Sequence, residues 1–308
     1  MSVRPRLSRT VRATFAACLL TLVSSLCRAS DEPQPETLFP HETKGEHFIV
    51  YTQQEDARVR EILRQAENYY RDIAERLNFP RRSKFWLWND RVKIYLYAQK
   101  TDYTSRSQEP EWSQGVTDYA TKAISSFVMS EDFMDSVLPH EIAHLIFQDF
   151  YGAENNASPP DWLNEGVAQW AEDQETKRKL KERARDLLES KGLLSLPDIF
   201  LTNIPFIKKN PNRLCFRLIR SKRDRYSVII LSPDVLIDTF YVESGSLVGY
   251  LIETLGIFRF AEFCRELSRD KTIQEALQEA YPKQFQSVED LDDQWRAYLL
   301  KKDSRTSA

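Results

Sequence analysis

His140-Glu141-Ile142-Ala143-His144, followed by Asp161-Trp162-Leu163-Asn164-Glu165-Gly166, is the stretch on which the reading of this chain turns. On a helix, positions i and i+4 share a face, so both imidazoles can reach one ion. Glu141 sits about 100° further round the helix axis. From there its carboxylate can touch a water without displacing an imidazole. Catalytic zinc takes three protein ligands and keeps a fourth position open for that water. His140, His144 and Glu165 meet that count for a single Zn2+ ion, with Glu141 as the general base. The pattern points to a zinc-dependent hydrolase. The plain alternative is an ordinary helix whose histidines cap or fill a polar pocket.

The surrounding composition is that of a globular protein. Of 308 residues, 42% are hydrophobic and 29% charged, which excludes a disordered or fibrous chain. A formal net charge of −3 gives no general affinity for nucleic acid. Eight Gly and fourteen Pro argue against a β-rich shell of tight turns.

Residues 1–29 read as a secretory signal peptide. Arg4, Arg6, Arg9 and Arg12 make a basic start, Ala13 to Leu26 an apolar run, and Cys27-Arg28-Ala29 a small-residue cleavage site. The apolar run is shorter than the roughly 20 residues a membrane span needs. Export follows as the expectation, to the cell exterior, periplasm or cell envelope. No later segment reads as apolar enough to cross a bilayer, so no stable membrane insertion is expected after signal removal. The remaining Cys215 and Cys264 are one possible disulfide or two buried thiols. Asn156-Ala157-Ser158 is a sequon, relevant only in a glycosylating host.

Residues 30–45 read as a loose polar leader, and 46–308 as one catalytic domain. Its first half, 46–130, carries strand patterns at His47–Tyr51, Val92–Tyr97 and Ala123–Met129, the last at a sheet edge. Helical spacing runs from Asp56 to Leu77 and stops at Asn78-Phe79-Pro80. The second half, 131–308, reads as mostly helical: Asp132–Phe150 with the two histidines, then Trp162–Asp173 capped by Asp161. Gly166 removes a side chain where two helices approach. Charged residues 175–191, then 241–253, 258–267 and 288–300, complete the helices. Between them, residues 208–231 are basic and alternate like a hairpin, either a plain surface feature or a contact for substrate or an anionic surface. The fold class is α+β: a small twisted N-terminal sheet with a packed helix, then helices, with the metal site between them.

Leu138-Pro139-His140-Glu141-Ile142-Ala143-His144, with Pro160-Asp161-Trp162-Leu163-Asn164-Glu165-Gly166-Val167-Ala168, resembles the peptidase MA-like domain of the gluzincin clan. The run from Tyr241 to Leu251 looks like that family's third helix, and Trp295-Arg296-Ala297-Tyr298 resembles its close. The resemblance implies a zincin-like fold and a metallopeptidase acting on a peptide or protein substrate. It also implies zinc held by His140, His144 and Glu165, and Glu141 as base. Related enzymes take an oxyanion donor from a downstream helix, which makes Tyr241 the candidate and Tyr250 a weaker one. One position departs from the pattern. Many relatives carry an acidic residue one turn after the glutamate ligand, to support a zinc-bound His. Here that residue is Gln169, which can accept a hydrogen bond but brings no charge. Glu172 and Asp173 are possible substitutes.

Two further readings stay open: a secreted, non-catalytic zinc-binding or assembly protein on the same scaffold, and a different zinc hydrolase such as an amidase. A scaffold without catalysis has no need of Glu141, and fold analogy does not fix a substrate.

Overall fold

The computed structural model describes residues 38–77, 86–127, 132–221 and 225–301. The expected signal peptide, the first part of the leader and the Asn78-Phe79-Pro80 stop lie outside them. The chain is mixed α+β, with a small N-terminal sheet and a helical C-terminal part. Strands β1 (His41–Lys44) and β2 (Phe48–Thr52) form an antiparallel pair. Helix α1 (Val59–Arg76) then leads to β3 (Val92–Tyr97), parallel to β2. Helix α2 (Lys100–Ser107), β4 (Gly115–Asp118) and β5 (Ala123–Phe127) follow, and the sheet order is β1-β2-β3-β5-β4.

Period-two alternation gives the sheet two different faces. Phe48, Val50, Val92, Ile94 and Ile124 are buried in the main core beside Val59, Ile62, Ala66 and Ile73 of α1. The other face carries Tyr51 stacked on Tyr95 at 5.1 Å and a small cluster of Phe39, Tyr97, Tyr103 and Phe127. Two expectations need correction. The leader is not loose to residue 45, since His41–Lys44 already pairs with β2. Strand β5 is not the edge: β4, a four-residue strand with no apolar alternation to betray it, pairs outside it.

The second half opens with a π-helical turn, Phe133–Val137, that runs into α3 (Leu138–Tyr151). Pro139 follows that turn directly; Leu138 still gives its N–H to the Phe133 carbonyl, and Pro139 has none to give to the next one. Then come α4 (Asp161–Ala171), α5 (Gln174–Glu189), and the short α6 (Leu196–Leu201) and α7 (Ile204–Lys208). An antiparallel hairpin of β6 (Cys215–Ser221) and β7 (Arg225–Leu231) precedes α8 (Pro233–Leu255). Helices α9 (Ile257–Ser268), α10 (Ile273–Ala280) and α11 (Val288–Leu300) close the chain.

Helix α8 is the axis of this half. It starts at the Ser232 cap and Pro233, and most of its residues are buried. By length and hydropathy it is apolar enough to cross a bilayer, contrary to the sequence expectation, yet 78% of its most apolar window is buried inside the fold. An all-round apolar helix is what a core position selects. Helices α4 and α8 approach backbone to backbone. A Cβ on Gly166 would lie 2.7 Å from the Ser244 carbonyl oxygen, so only glycine fits. Asp161 is the first helical residue rather than the cap, and its carboxylate accepts the Ile204 N–H at 2.8 Å, tying α7 to the start of α4. Both Cys215 and Cys264 are free thiols.

Candidate metal centre

Helix α3 presents His140 and His144 one turn apart, their rings 4.7 Å between centroids and nearly perpendicular. Helix α4 crosses α3 and delivers Glu165 against them. Glu165 Oε2 is 3.5 Å from Nε2 of both histidines. One ligand atom from each of the three lies within 4.8 Å of the others. Zinc holds N and O ligands at about 2.0–2.2 Å in a tetrahedron, which separates ligand atoms by roughly 3.4 Å. The donor set therefore fits one small cation, by chemistry and by spacing.

Behind these three side chains stands Glu172, one of the two substitutes the sequence offers for an acid at position 169. Glu172 Oε1 is 2.9 Å from His140 Nδ1, and its other oxygen accepts the Ser136 hydroxyl at 2.6 Å. Glu172 is itself buried. The position one turn after Glu165 is therefore not the one that matters. Gln169 packs with its Cβ against Gly245 of α8, and α4 ends at Ala171. The extended backbone at Glu172 (ψ −179°) turns the acid back towards His140. The absent negative charge at Gln169 is thus made good three residues later. His144 Nδ1 is buried and finds no hydrogen-bond partner among the described residues.

The electrostatics follow from burial among carboxylates. Burial alone would lower the His140 pKa, but Glu165 and Glu172 outweigh it and hold the ring's pKa well above the usual value. Burial pushes the Glu165 carboxyl up, and the two histidines more than reverse that, so it stays ionised. Deprotonated carboxylate and displaceable imidazole protons are what a metal ligand set requires.

Glu141 is buried beside His140, His144 and Glu165, and Thr117 of β4 holds it. The Thr117 hydroxyl lies 2.7 Å from Glu141 Oε2 and 3.2 Å from the Glu141 carbonyl oxygen. Gly115 makes room: a Cβ there would meet Glu141 Oε1 at 2.9 Å. Neither residue carries a signal in the sequence, because their role depends on an edge strand that only tertiary pairing defines.

The centre lies in a cleft of about 600 Å³ whose walls include β4, α7 and Tyr241. Tyr241 sits in the middle of α8, half-buried, and burial followed by the Glu165 and Glu141 charges keeps its hydroxyl protonated far above neutral pH. It can therefore donate into the cleft. Tyr250 is elsewhere, its hydroxyl directed at Gln294 at 3.4 Å. A second phenol, Tyr119, was not anticipated. Its hydroxyl accepts from Asn164 Nδ2 at 2.8 Å, and its ring meets His144 edge-on at 6.5 Å. Across the mouth, Lys208 pairs with Glu109 at 3.3 Å and lies over the Trp112 ring.

No protein-family model matches the chain, and no curated protein is significantly similar to it.

Proposed function

We propose that this chain is an exported zinc metallopeptidase with a zincin-like fold, of the gluzincin type that its two motifs resemble. The observation that carries the reading is the convergence of His140, His144 and Glu165 on one point, with Glu141 held beside them by Thr117. Bound zinc supplies Lewis acidity at a carbonyl and a water of pKa about 7. Glu141 takes a proton from the attacking water and later delivers it to the leaving amine. Thr117 fixes which oxygen of Glu141 faces the water. Glu172 accepts from His140 Nδ1, which sets the tautomer that leaves Nε2 free as a ligand. Tyr241 donates to the oxyanion that develops on the substrate.

Substrate backbone has an evident place. Strand β4 pairs with β5 on one side and with no strand on the other among the described residues, and its residues line the cleft. An extended peptide laid along that edge gains main-chain hydrogen bonds without a demand on its sequence. The basic start and apolar run of residues 4–26 support export.

The test is zinc content of the purified protein, by plasma mass spectrometry, paired with cleavage of an unstructured protein such as casein. One zinc per chain, with hydrolysis lost in Glu141→Gln while zinc remains, is the expected result. Zinc bound and no hydrolysis across a peptide library would replace this reading with the non-catalytic, zinc-binding one. A chain whose metal uptake is unaffected by His144→Ala has no such centre.

A further inference from the structure

Away from the cleft, the β6–β7 hairpin shows a surface that the peptidase reading leaves unused. Its ladder sets Phe216 opposite Ile230 and Leu218 opposite Val228. Opposed residues of a pair share a face, and these four side chains are bare: Phe216 62%, Leu218 40%, Val228 62% and Ile230 58% exposed. The reverse face is the anchoring one, with Cys215, Ile219, Ile229 and Leu231 against the core. At the far end Arg220, which shares the parity of Phe216 and Leu218, reaches Asp292 and Asp293 of α11 and ties that end down by ion pairs. The hairpin is therefore a fixed platform with an apolar outer side, and such contiguous apolar surface marks an interaction site.

Charge tells what covers it. From Ile204 to Arg220 the sequence has five basic residues and no acidic one, of which Lys208 and Arg220 are ion-paired to Glu109 and to Asp292 and Asp293. Lys209 and Arg213 are exposed and make no ion pair among the described residues. Arg213 lies over the ring of Phe206, itself 51% exposed. We propose that this hairpin face docks on an anionic lipid bilayer. Phe216, Leu218, Val228 and Ile230 enter at headgroup depth, while Lys209 and Arg213 meet lipid phosphates. Tyr226, at the far end of the same face, has the apolar ring and polar tip that suit the headgroup layer. A second copy of the chain is the poorer occupant, because a two-fold contact would bring two identical positive patches together. The contact is adsorption and not a span: a spanning strand needs about nine to eleven residues in a closed barrel, and each of these strands has seven. Helix α7, shortly before the hairpin in the chain, carries Lys208 in the cleft and the exposed Phe206 beneath Arg213.

The test is vesicle flotation, read without catalysis and so independent of the metal centre. Protein lacking residues 1–29 is used, because the described fold begins at residue 38 and the apolar start would bind lipid by itself. The vesicles are phosphatidylcholine alone, or with about a third phosphatidylglycerol, at roughly 0.1 M salt. Wild type is expected to float with the anionic vesicles only, and to be released at about 1 M salt. Phe216→Ser with Ile230→Ser should weaken partition about tenfold or more, and Lys209→Glu with Arg213→Glu by a similar factor. Melting by circular dichroism checks that these surface variants fold. Phe216→Trp gives a second reading, a blue shift of added emission on anionic vesicles. Three results would each overturn the proposal: no flotation with anionic vesicles, flotation of the serine variant equal to wild type, or a dimer in light scattering that the serine variant dissolves.

Discussion

Glu172 offers a quantitative test of the proposed metal centre. Replacing it with alanine leaves the buried His140 Nδ1 and the Ser136 hydroxyl without the acceptor each now has, at 2.9 and 2.6 Å. Loss of an outer partner of a metal-bound histidine costs about 10–100-fold in metal affinity, or ~1.4–2.8 kcal/mol. Alanine, which strands two polar groups in a site only 5% exposed, belongs near the upper end. Glutamine keeps an acceptor and loses the charge, which puts Glu172→Gln near tenfold. Gln169→Ala, by contrast, should change affinity by less than about twofold, since its stem packs on Gly245 of α8 and the acceptor on His140 Nδ1 is Glu172. The assay is competition with a chromophoric chelator between pH 6 and 8.

The pH dependence has a defined sign. In metal-free protein the His140 pKa stands well above its ordinary 6.5, so protons compete with zinc and affinity falls as pH drops through that raised value. Glu172→Gln weakens the proton's hold as well as the metal's. Its deficit against wild type is therefore largest at high pH and narrows as pH falls. In metal-free protein the same charge pair stabilises the fold fully below pH 6.5, and that contribution is lost as pH rises through the raised value. Equal zinc affinity for Glu172→Ala and wild type, or a larger loss in Gln169→Ala, refutes this account of the site.

Other outcomes follow from neighbouring contacts. Thr117→Val removes the hydroxyl 2.7 Å from Glu141, and should lower kcat about tenfold or more with zinc content unchanged and KM little moved, measured on one peptide substrate. Gly166→Ala forces a Cβ to within 2.7 Å of the Ser244 carbonyl, and should destabilise the fold by about 1–3 kcal/mol despite the better helix propensity of alanine, read by denaturant unfolding. Glu243 is fully buried on α8 with one oxygen on the Leu194 N–H at 2.8 Å, and burial raises its pKa from 4.5 to about 8. A carboxyl with a raised folded value stabilises least at high pH: its contribution declines from pH 4.5 upward until the folded group ionises near 8. Glu243→Gln should therefore be more stable than wild type at pH 8, by a margin that vanishes towards pH 4.5, as melting curves across that range would show.

The convergence of His140, His144 and Glu165 was legible because it rests on local geometry. Two histidines four apart need only a helix, and the Trp-Leu-Asn-Glu-Gly run needs only a second helix beside it. The supporting carboxylate was not legible by counting turns, since counting assumes that α4 continues past Ala171. The helix stops there, and the break is what aims Glu172. Strand β4 escaped for a different reason: in Gly115-Val116-Thr117-Asp118 only the two central residues favour a strand, and the segment becomes one through its ladder to β5. Likewise His41–Lys44 is polar and largely exposed, so no alternation marks it as paired. The β6–β7 hairpin was legible from alternation, and its bare apolar face only once the register assigned Phe216 and Ile230 to the same side.

The two walls of the cleft differ in stiffness. One is α8 against α4, locked where Gly166 brings backbone to backbone, so Glu165 and Tyr241 move as one body. The other is β4, four residues held by a single ladder, and it carries the threonine that orients Glu141. On the proposed reading, a peptide bound as an added strand would give β4 its second ladder and so tighten the setting of Glu141. Substrate length would then act on rate as well as on affinity: shorter peptides, which pair with fewer of those residues, would show a lower kcat as well as a higher KM.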